Sequence, residues 1–359
     1  MNKNHYCVIM AGGVGSRFWP MSRVSRPKQF LDILDTGETF IQSPYKRFSG
    51  FIAPENFLVV TNSSYKPMVL EQLPMLDETQ VLCEPFGRNT APCIAYAGFR
   101  VKAMDPEATM IVTPSDHLIL NVDVFQEVMT EALDFASKQD VLVTVGLKPT
   151  RPATGYGYIQ VEKPINGDGM NKVKTFTEKP DREMAQIFLD SGEFFWNSGI
   201  FVWQADSILK QINHFLPETY GLFASMAEHY ATPEEQDHIN RIYPECRGIS
   251  IDYGIMEKAD NVYVRCADFG WSDIGTWGSL YRYARKDDNG NTDEGNTITF
   301  DTKECVLKIP KDKIAVIEGL ENFIVVDTDD VLMICPRSNE QNIKRFIDTV
   351  RFDKGDKFI

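Results

Sequence analysis

The stretch Met10-Ala11-Gly12-Gly13-Val14-Gly15-Ser16-Arg17-Phe18-Trp19-Pro20 decides the fold class of this chain. It extends the apolar run 7–10, which is typical of a buried parallel strand. Glycines let the backbone turn sharply and approach a ligand closely, and amides exposed in such a turn bind phosphate oxygens. Arg17, and Lys28 in the following Arg26-Pro27-Lys28-Gln29-Phe30 motif, add positive charge. The sequence therefore predicts a strand that leads into a polyphosphate-binding loop.

Two better-known phosphate loops do not fit this stretch. A dinucleotide-binding loop that begins at Gly13 needs a third glycine at position 18, where Phe18 stands, and Pro20 interrupts the helix that would follow. A Walker loop needs Gly-Lys-Ser/Thr, which does not follow. The remaining alternative is a glycine-rich turn whose surface charge is incidental.

Strand-like and helix-like segments alternate over the first half of the chain. The strand-like runs are 57–61, 80–84, 110–113 and 141–146, and the helical runs are 91–104 and 124–137, with Asp123 as the expected cap of the second helix. This alternation predicts an α/β fold with a doubly wound, mostly parallel sheet, in which ligands bind beyond the carboxyl ends of the strands. The glycine-broken runs 154–160 and 173–178 predict inserted strands beside that crevice, and the segment 206–247 is helical and polar.

The composition changes after residue 287. The turn-rich segment 287–292 is followed by short β-rich pieces at 297–300, 305–309, 314–318, 323–327 and 331–335, and by a helix at 339–352. This spacing favours a small β-solenoid or sheet. We therefore predict an α/β domain over residues 1–290 and a small C-terminal β-rich domain with a terminal helix over residues 291–359.

The composition also excludes several classes of protein. A net charge of −14 argues against a general nucleic-acid binder. No apolar stretch approaches the ~20 residues needed to span a bilayer, and charged and polar residues lead into the first strand where a signal peptide would stand. The seven cysteines lack a Cys-x-x-Cys pair, which favours buried free thiols over a zinc site or disulfides. We therefore expect a cytoplasmic protein without membrane or nucleic-acid partners.

Several polar residues follow predicted strands or open predicted helices. Asp116 closes the string Thr113-Pro114-Ser115-Asp116, where a carboxylate either holds a Mg²⁺ that bridges phosphates or caps the next turn. Asn89 and Thr90 open a helix, where they either contact the edge of a base or cap the helix. Asp273 lies in an aromatic-rich turn, where a local backbone hydrogen bond is the simpler alternative.

Other motifs offer groups that suit a sugar. Gly157 permits close backbone approach, although a glycine at a strand bend is equally compatible. Glu178 and Lys179 point to opposite faces of a strand unless the strand ends there, as the following proline favours. Asn197 places an amide among apolar residues, where it needs hydrogen-bond partners. Asp252 either orients a ligand or caps the helix that follows.

Taken in order, these motifs resemble those of the sugar-1-phosphate nucleotidyltransferases, and within that family the guanylyltransferases. The glycine-rich string, the Pro-Lys-Gln-Phe motif and the string Glu-Pro-x-x-Arg-Asn-Thr-Ala-Pro at 84–92 carry the resemblance, which spans about residues 5–285. It implies a Rossmann-like, glycosyltransferase-A-like domain followed by a left-handed β-helix-like domain. It also implies that GTP and mannose 1-phosphate are converted into GDP-mannose and diphosphate, with Mg²⁺ as the cofactor.

The resemblance further implies roles for individual residues, which fall into four groups. The catalytic group is Arg17, Lys28 and Lys179; the nucleotide-binding group is Ala11, Gly12, Gly13, Gly15, Ser16, Arg17, Lys28, Glu84, Asn89, Thr90 and Ser115; the sugar-binding group is Gly157, Glu178, Lys179, Asn197 and Asp252; and the metal ligands are Asp116 and Asp273.

Alternatives and expectations about assembly remain at this stage. The same chemistry on another hexose 1-phosphate or nucleoside triphosphate is one alternative, and a catalytically silent, nucleotide-sugar-binding regulator is another. We expect a homodimer to which the C-terminal segment contributes. Many bacterial relatives continue into a cupin-like isomerase domain, and this chain stops at Ile359, so no isomerase activity is expected.

Overall fold

The chain folds into two compact units that do not follow chain order. The computed structural model describes residues 2–162, 169–293 and 296–359. The sheet unit comprises Met1–Gly12, Pro44–Ser115 and Ile119–Trp271, and the terminal unit comprises Gly13–Ser43, Asp116–Leu118 and Ser272–Ile359. The terminal unit thus combines the loop after the first strand with the last part of the chain. The boundary predicted at residue 290 stays a prediction and lies inside the terminal unit.

The strands and helices of the described residues have the following bounds. The strands are β1 His5–Met10, β2 Phe57–Asn62, β3 Val81–Glu84, β4 Thr109–Pro114, β5 Leu118–Ile119, β6 Leu142–Leu147, β7 Tyr158–Val161, β8 Met170–Thr177, β9 Phe194–Gln204, β10 Val262–Ala267, β11 Trp271–Ser272, β12 Thr292–Asp293, β13 Asn296–Phe300, β14 Val306–Lys308, β15 Ile314–Glu318, β16 Phe323–Asp327 and β17 Leu332–Pro336. The α-helices are α1 Gln42–Phe48, α2 Lys66–Gln72, α3 Thr90–Met104, α4 Val122–Ala136, α5 Arg182–Ser191, α6 Ala205–Phe215, α7 Pro217–Ala224, α8 Glu235–Ile242, α9 Trp277–Tyr283 and α10 Ile343–Lys354.

The sheet unit is built on one large mixed sheet. Across the described residues its strand order is β3-β2-β1-β4-β9-β6-β10-β8-β7. Strands β1 to β4 are mutually parallel, whereas β9 runs antiparallel between β4 and β6. Met10 at the end of β1 pairs with Pro114 at the end of β4, so Ala11 and Ser115 follow at the same edge of the sheet. This arrangement confirms the predicted doubly wound α/β fold.

Apolar faces of the helices pack on this sheet. Helix α4 buries Phe125, Val128 and Met129 on one face, the spacing expected of an amphipathic helix. Its N-cap is Asn121, whose side chain accepts a hydrogen bond from the Val124 amide at 3.2 Å. The predicted cap, Asp123, is therefore wrong by two residues, because the first helical turn begins earlier than the apolar periodicity indicates.

The first inserted strand begins later than predicted, and the second begins earlier, at Met170. Residues 154–157 form a turn, and regular pairing begins only at Tyr158 in β7, because the glycines at 155 and 157 break the strand. Strand β8 ends at Thr177, directly before Glu178 and Lys179. Lys179 has a positive φ of 50°, so the chain turns where the sequence predicts the strand to end.

The terminal unit contains a small β-rich solenoid and an apolar core to which residues near both ends of the sequence contribute. Strands β12, β14 and β16 pair in parallel through successive coils, as do β13 and β15, while β17 closes the stack antiparallel to β16. The core joins Phe18 and Trp277 to Val306, Ile324 and Ile343. Apolar side chains from both ends of the sequence are therefore buried together.

Within the described parts of the chain, no helix is both long and apolar enough to cross a membrane. All seven cysteines are free thiols, and every one except the half-buried Cys266 is buried.

Candidate active site

A cavity of 380 Å³ lies in the terminal unit at the glycine-rich loop. Six of its lining residues are far apart in the sequence and are predicted there to bind phosphate or metal: Gly15, Ser16, Arg17, Lys28, Asp116 and Asp273. The lining residues are Gly15, Ser16, Arg17, Phe18, Lys28, Asp116, His117, Asp273, Gly275 and Lys344. We call this the Lys28 cavity.

Gly15 is required by the packing of Lys28. It has a φ of +72°, and a Cβ built on it would overlap the Cβ of Lys28. The Lys28 amide donates to the Val14 carbonyl at 3.0 Å, which fixes the motif to the loop. The Lys28 ammonium lies 4.9 Å from the centre of the Phe40 ring, and only 3% of the residue is exposed. A buried ammonium against an aromatic face is a strong, localised positive charge.

Lys28 forms an ion pair with Asp116. Its Nζ lies 2.8 Å from Asp116 Oδ2 and donates to the Asp273 carbonyl oxygen at 3.1 Å. Burial opposes ionisation of Asp116, but the charges of Lys28 and His117 outweigh it and lower the pKa of the carboxyl. Asp116 is therefore an anion at neutral pH.

The donor set of the Lys28 cavity fits a divalent cation that also binds phosphate. Asp116 and Asp273 both line this cavity. A Cβ on Gly275 would stand 2.7 Å from Asp273 Oδ2, so the glycine makes the space that this carboxylate occupies. No group of three or more His, Cys, Asp or Glu within the described ranges could hold a metal alone. Two carboxylates completed by phosphate oxygens and water is the ligand set that Mg²⁺ commonly takes.

A second group of predicted residues is assembled in the sheet unit, and we call it the Glu178 cluster. Its members are Gly157, Glu178, Lys179, Asn197 and Asp252. Asn197 receives a hydrogen bond at Oδ1 from the Thr144 hydroxyl at 2.9 Å and donates through Nδ2 to Asp252 Oδ1 at 2.9 Å. The backbone amide of Asn197 donates to the Gly157 carbonyl at 2.8 Å. These bonds fix the side-chain amide of Asn197, the carboxyl of Asp252 and the backbone at Gly157 in place.

Glu178 presents one carboxylate oxygen without a partner. Oε1 is paired with the Lys179 ammonium at 2.5 Å, whereas the buried Oε2 has no hydrogen-bond partner among the described residues. A Cβ on Gly157 would lie 2.5 Å from that Oε2. Burial and the charge of Glu178 raise the pKa of Asp252 to about 7. A buried acceptor beside a glycine is suited to a ligand that donates hydroxyl hydrogen bonds.

Glu84 is a second buried carboxyl in the sheet unit. It is 5% exposed, and the Tyr243 hydroxyl donates to its Oε1. Burial raises the pKa of Glu84 to about 7, although the bond from Tyr243 opposes this shift. A Cβ on Gly12 would stand 3.3 Å from Glu84 Oε2, which leaves that oxygen facing the backbone of the glycine-rich loop.

Asn89 and Thr90 differ in how they are used. Asn89 precedes α3 with a positive φ of 65°, and its side chain makes no capping hydrogen bond, so the capping role that the sequence offered is wrong for this residue. The Thr90 hydroxyl accepts from the Ile251 amide at 2.8 Å. Asn89 is exposed, and its amide is thus presented at the helix N-terminus rather than bound to the backbone.

Sequence reasoning missed four residues that shape these sites. Tyr243 pairs with Glu84, Thr144 holds Asn197, Gly275 clears space for Asp273, and Lys344 lines the Lys28 cavity. Only Gly275 carried a local signal, since it stands two positions after Asp273. The others meet their partners through tertiary contacts that a linear pattern does not encode.

Comparison with known proteins places the chain in a family. Residues 6–290 match the nucleotidyl transferase family model, and residues 295–350 match the model of a mannoseP isomerase/GMP-like beta-helix domain. The chain is 36% identical over 358 residues to a mannose-1-phosphate guanylyltransferase of Klebsiella pneumoniae, covering 98% of this chain and 75% of the relative. It is 37% identical to the alginate biosynthesis protein AlgA of Pseudomonas putida, covering 96% of this chain and 71% of that protein.

A solved structure agrees over nearly the whole chain. The crystal structure of a mannose-1-phosphate geranyltransferase from Thermus thermophilus superposes with a TM-score of 0.85 at 28% identity, covering 97% of this chain and 99% of that one. Enzymes of the matched family generally use a divalent metal ion. The chain therefore belongs to the nucleotidyl transferase family, as its N-terminal motifs predict.

Proposed function

We propose that this protein transfers the guanylyl group of GTP to mannose 1-phosphate, giving GDP-mannose and diphosphate. The observation that carries the proposal is the Lys28 cavity, which joins the glycine-rich loop, the cations Arg17, Lys28 and Lys344, and two carboxylates. The guanylyltransferase relatives, 36% identical over nearly the whole chain, support the choice of substrates.

The reaction needs no protein nucleophile. A phosphate oxygen of mannose 1-phosphate attacks the α-phosphorus of GTP, a new P–O bond forms, and the bond to the bridging oxygen breaks in line. The electron pair of that bond leaves with diphosphate. Catalysis then consists of positioning and charge neutralisation.

Residues of the Lys28 cavity act on the leaving group. Arg17, Lys28 and the amides of Gly13, Gly15 and Ser16 bind the β- and γ-phosphates and neutralise the charge that grows on them. Asp116 and Asp273 would hold Mg²⁺, with Ser115 supporting the same loop; when bound, the ion neutralises phosphate oxygens. The Lys28–Asp116 ion pair keeps both side chains oriented before substrate binds.

The Glu178 cluster selects the sugar. The hexose hydroxyls form hydrogen bonds with Glu178 Oε2 and with the side chains of Asn197 and Asp252. Gly157, which has no side chain, allows the sugar ring to approach the backbone. Lys179 carries the phosphate of mannose 1-phosphate. Burial opposes charging of Lys179, but the hydrogen bond and charge of Glu178 raise its pKa, so it stays an ammonium.

Glu84 and Asn89 read the base. A carboxylate accepts hydrogen bonds from the N1–H and the 2-amino group of guanine together, and adenine offers no such pair of donors. Ala11, Gly12 and Thr90 form the backbone around it. The Tyr243 hydroxyl takes one lone pair of Glu84 Oε1. The second lone pair of Oε1 and both lone pairs of Oε2 are then left to accept the two guanine donors.

Assembly and location complete the proposal. Strands β13 and β15 expose Ile298, Phe300, Ile314 and Val316, with Ile314 70% and Val316 64% exposed. This apolar face of a parallel pair would be covered in a homodimer. Replacement of Ile314 by Lys should then yield a monomer by sedimentation velocity; an unchanged sedimentation coefficient would exclude this face as the dimer interface.

The free cysteines suit a reducing compartment, and we infer that the enzyme works in the cytoplasm.

The test is diphosphate release by the pure protein with Mg²⁺. GTP is compared with ATP, UTP and dTTP, and mannose 1-phosphate with glucose 1-phosphate. We expect GTP and mannose 1-phosphate to give the highest kcat/KM. A clear preference for another nucleotide or sugar would overturn that assignment alone, whereas binding without diphosphate release would indicate a silent regulatory relative.

A further inference from the structure

Helix α10 carries Lys344, one of the residues that line the Lys28 cavity. Lys344 is the second residue of α10 and lines the cavity together with Arg17 and Lys28. Its side chain makes no hydrogen bond or ion pair in the part of the chain that the structure describes, and it is exposed. Nothing in the sequence around residue 344 resembles a substrate-binding motif.

The position of Lys344 is fixed by the helix that carries it. Its neighbour Ile343 is 1% exposed and Ile347, one turn later, is 7% exposed, and both lie in the core that contains Phe18. Further ties hold the ends of this segment. Glu340 accepts a hydrogen bond from the Gly278 amide at 2.7 Å, and the Trp19 indole donates to the Phe358 carbonyl at 2.7 Å. The backbone of Lys344 is therefore anchored by buried neighbours, and its own side chain is exposed.

The charge of the cavity also points to a role for Lys344. The ammonium of Lys28 is already paired with the carboxylate of Asp116. Arg17, like Lys344, has no ion pair with another described residue. The terminal phosphates of a nucleoside triphosphate carry several negative charges, and one guanidinium plus one compensated ammonium leaves much of this charge unmatched.

We propose that Lys344 binds the terminal phosphates of the nucleoside triphosphate substrate and the diphosphate product. The inference rests on the proposed function and extends it, because it makes the last helix of the chain a part of the substrate site. Lys344 acts on the ground state and the leaving group alike, so its loss weakens binding of both triphosphate and diphosphate.

The matched variants are Lys344→Gln and Arg345→Gln. Each removes one exposed cation from adjacent positions of α10, but Arg345 does not line the cavity. Binding of inorganic diphosphate to the full-length protein is measured by calorimetry at low and high ionic strength. Diphosphate release from GTP is measured separately, with KM determined for GTP and for mannose 1-phosphate.

We expect Lys344→Gln to weaken diphosphate binding and raise the KM for GTP by about tenfold, the loss typical of one charged hydrogen bond. The KM for mannose 1-phosphate should stay unchanged, and Lys344→Arg should restore most of the binding. At high ionic strength the diphosphate affinities of Lys344→Gln and wild type should differ less, because salt screens the charge of Lys344.

Equal diphosphate affinity in Lys344→Gln and wild type would overturn the inference, as would an equal loss in Arg345→Gln. A wild-type protein that binds diphosphate but produces no nucleotide sugar would overturn the proposed function instead, while the binding comparison would still decide the role of Lys344.

Discussion

The Lys28 cavity and the Glu178 cluster hold their charged groups in opposite ways. In the cavity the buried ammonium of Lys28 is paired with Asp116, whereas Arg17 and Lys344, which have no ion pair among the described residues, are exposed. In the cluster, Glu178 Oε2 is buried and has no hydrogen-bond partner within the described ranges. Unsatisfied charge is inexpensive in water and costly in the interior. The cavity is therefore suited to attract a highly charged ligand, and the cluster to recognise a ligand by donors at fixed positions.

The Lys28 cavity and the Glu178 cluster also differ in the secondary structure that carries their residues. Apart from Lys344 on α10, the Lys28 cavity is made from loops and short turns, including the turn Ser16–Phe18. The Glu178 cluster is attached to β8 and β9 and to the π-helical segment Asp252–Met256. A strand fixes the direction of a side chain more closely than a loop does. Small changes of shape should therefore damage the cluster, and changes of charge should damage the cavity.

The largest effect is expected from Asp273→Asn in the cavity. The amide keeps the size of the carboxyl but removes the charge that would hold a divalent cation. Turnover should fall on the order of 10²–10³-fold, and the Mg²⁺ concentration needed for half-maximal rate should rise. Steady-state rates over a Mg²⁺ titration check this, with Asp288→Asn, an exposed carboxyl in the same unit, as the control. A wild-type Mg²⁺ curve in Asp273→Asn would remove this residue from the metal site.

A change of shape alone tests the cluster. The Cβ added by Gly157→Ala would stand 2.5 Å from Glu178 Oε2 and 3.2 Å from the Cβ of Asn197. We expect kcat/KM for mannose 1-phosphate to fall by about 10²-fold, since small displacements of positioning groups have effects of that size. The affinity for GTP should not change. Gly155→Ala is the control, because its Cβ would meet nothing within 4 Å. Equal effects of the two substitutions would contradict the proposed fit.

The burial of carboxyl groups predicts a pH dependence of stability. Burial raises the pKa of Glu84 from 4.5 to about 7, so its ionisation opposes folding. The unfolding free energy of the wild type therefore falls as the pH rises from about 4.5 to 7, because the carboxyl ionises more readily in the unfolded chain. Glu84→Gln has no carboxyl at this position and lacks this decrease. The difference in unfolding free energy between variant and wild type should thus shift by about 3 kcal/mol in favour of the variant.

Urea unfolding at acidic and at slightly alkaline pH measures this shift. The exposed Glu127→Gln serves as the control and should show no pH-dependent difference. A parallel pH dependence in wild type and Glu84→Gln would mean that the Glu84 carboxyl titrates near its ordinary pKa.

The smallest effect is expected from Lys179→Ala. The side chain of Lys179 is 53% exposed, so water weakens its interaction with a phosphate. The KM for mannose 1-phosphate should rise by about tenfold, with GTP binding near normal. Lys174→Ala removes a neighbouring exposed cation from β8 and should leave both constants unchanged. A defect confined to GTP would refute the proposed role of Lys179.

Local pattern predicted much of the fold. The alternation of apolar strands and helices located β1 to β4, α3 and α4 within a few residues, because buried parallel strands and amphipathic helices have distinct periods. Ends of elements were less certain. Asn121 rather than Asp123 caps α4, since both residue types cap helices and the apolar period does not separate positions so close together.

The sites were predicted in part for a related reason. Strand ends and glycines marked Gly15, Asp116 and Gly157, whose positions depend on short-range backbone geometry. Tyr243 and Lys344 reach their sites through packing with residues distant in sequence, and no spacing rule connects position 344 with position 17. The family resemblance supplied roles but no contacts, so the ion pair of Lys28 with Asp116 became visible only in the structure.

The composition of the terminal unit has a consequence for biosynthesis. The loop 13–43 shares its core with residues 272–359, which the ribosome makes last. Chains are synthesised from the N-terminus at about 5–20 residues per second, and earlier segments fold as they emerge. The glycine-rich loop therefore lacks its packing partners until almost the entire protein has been translated. A nascent or truncated chain can complete its large sheet, but it lacks the partners that give this loop its native packing.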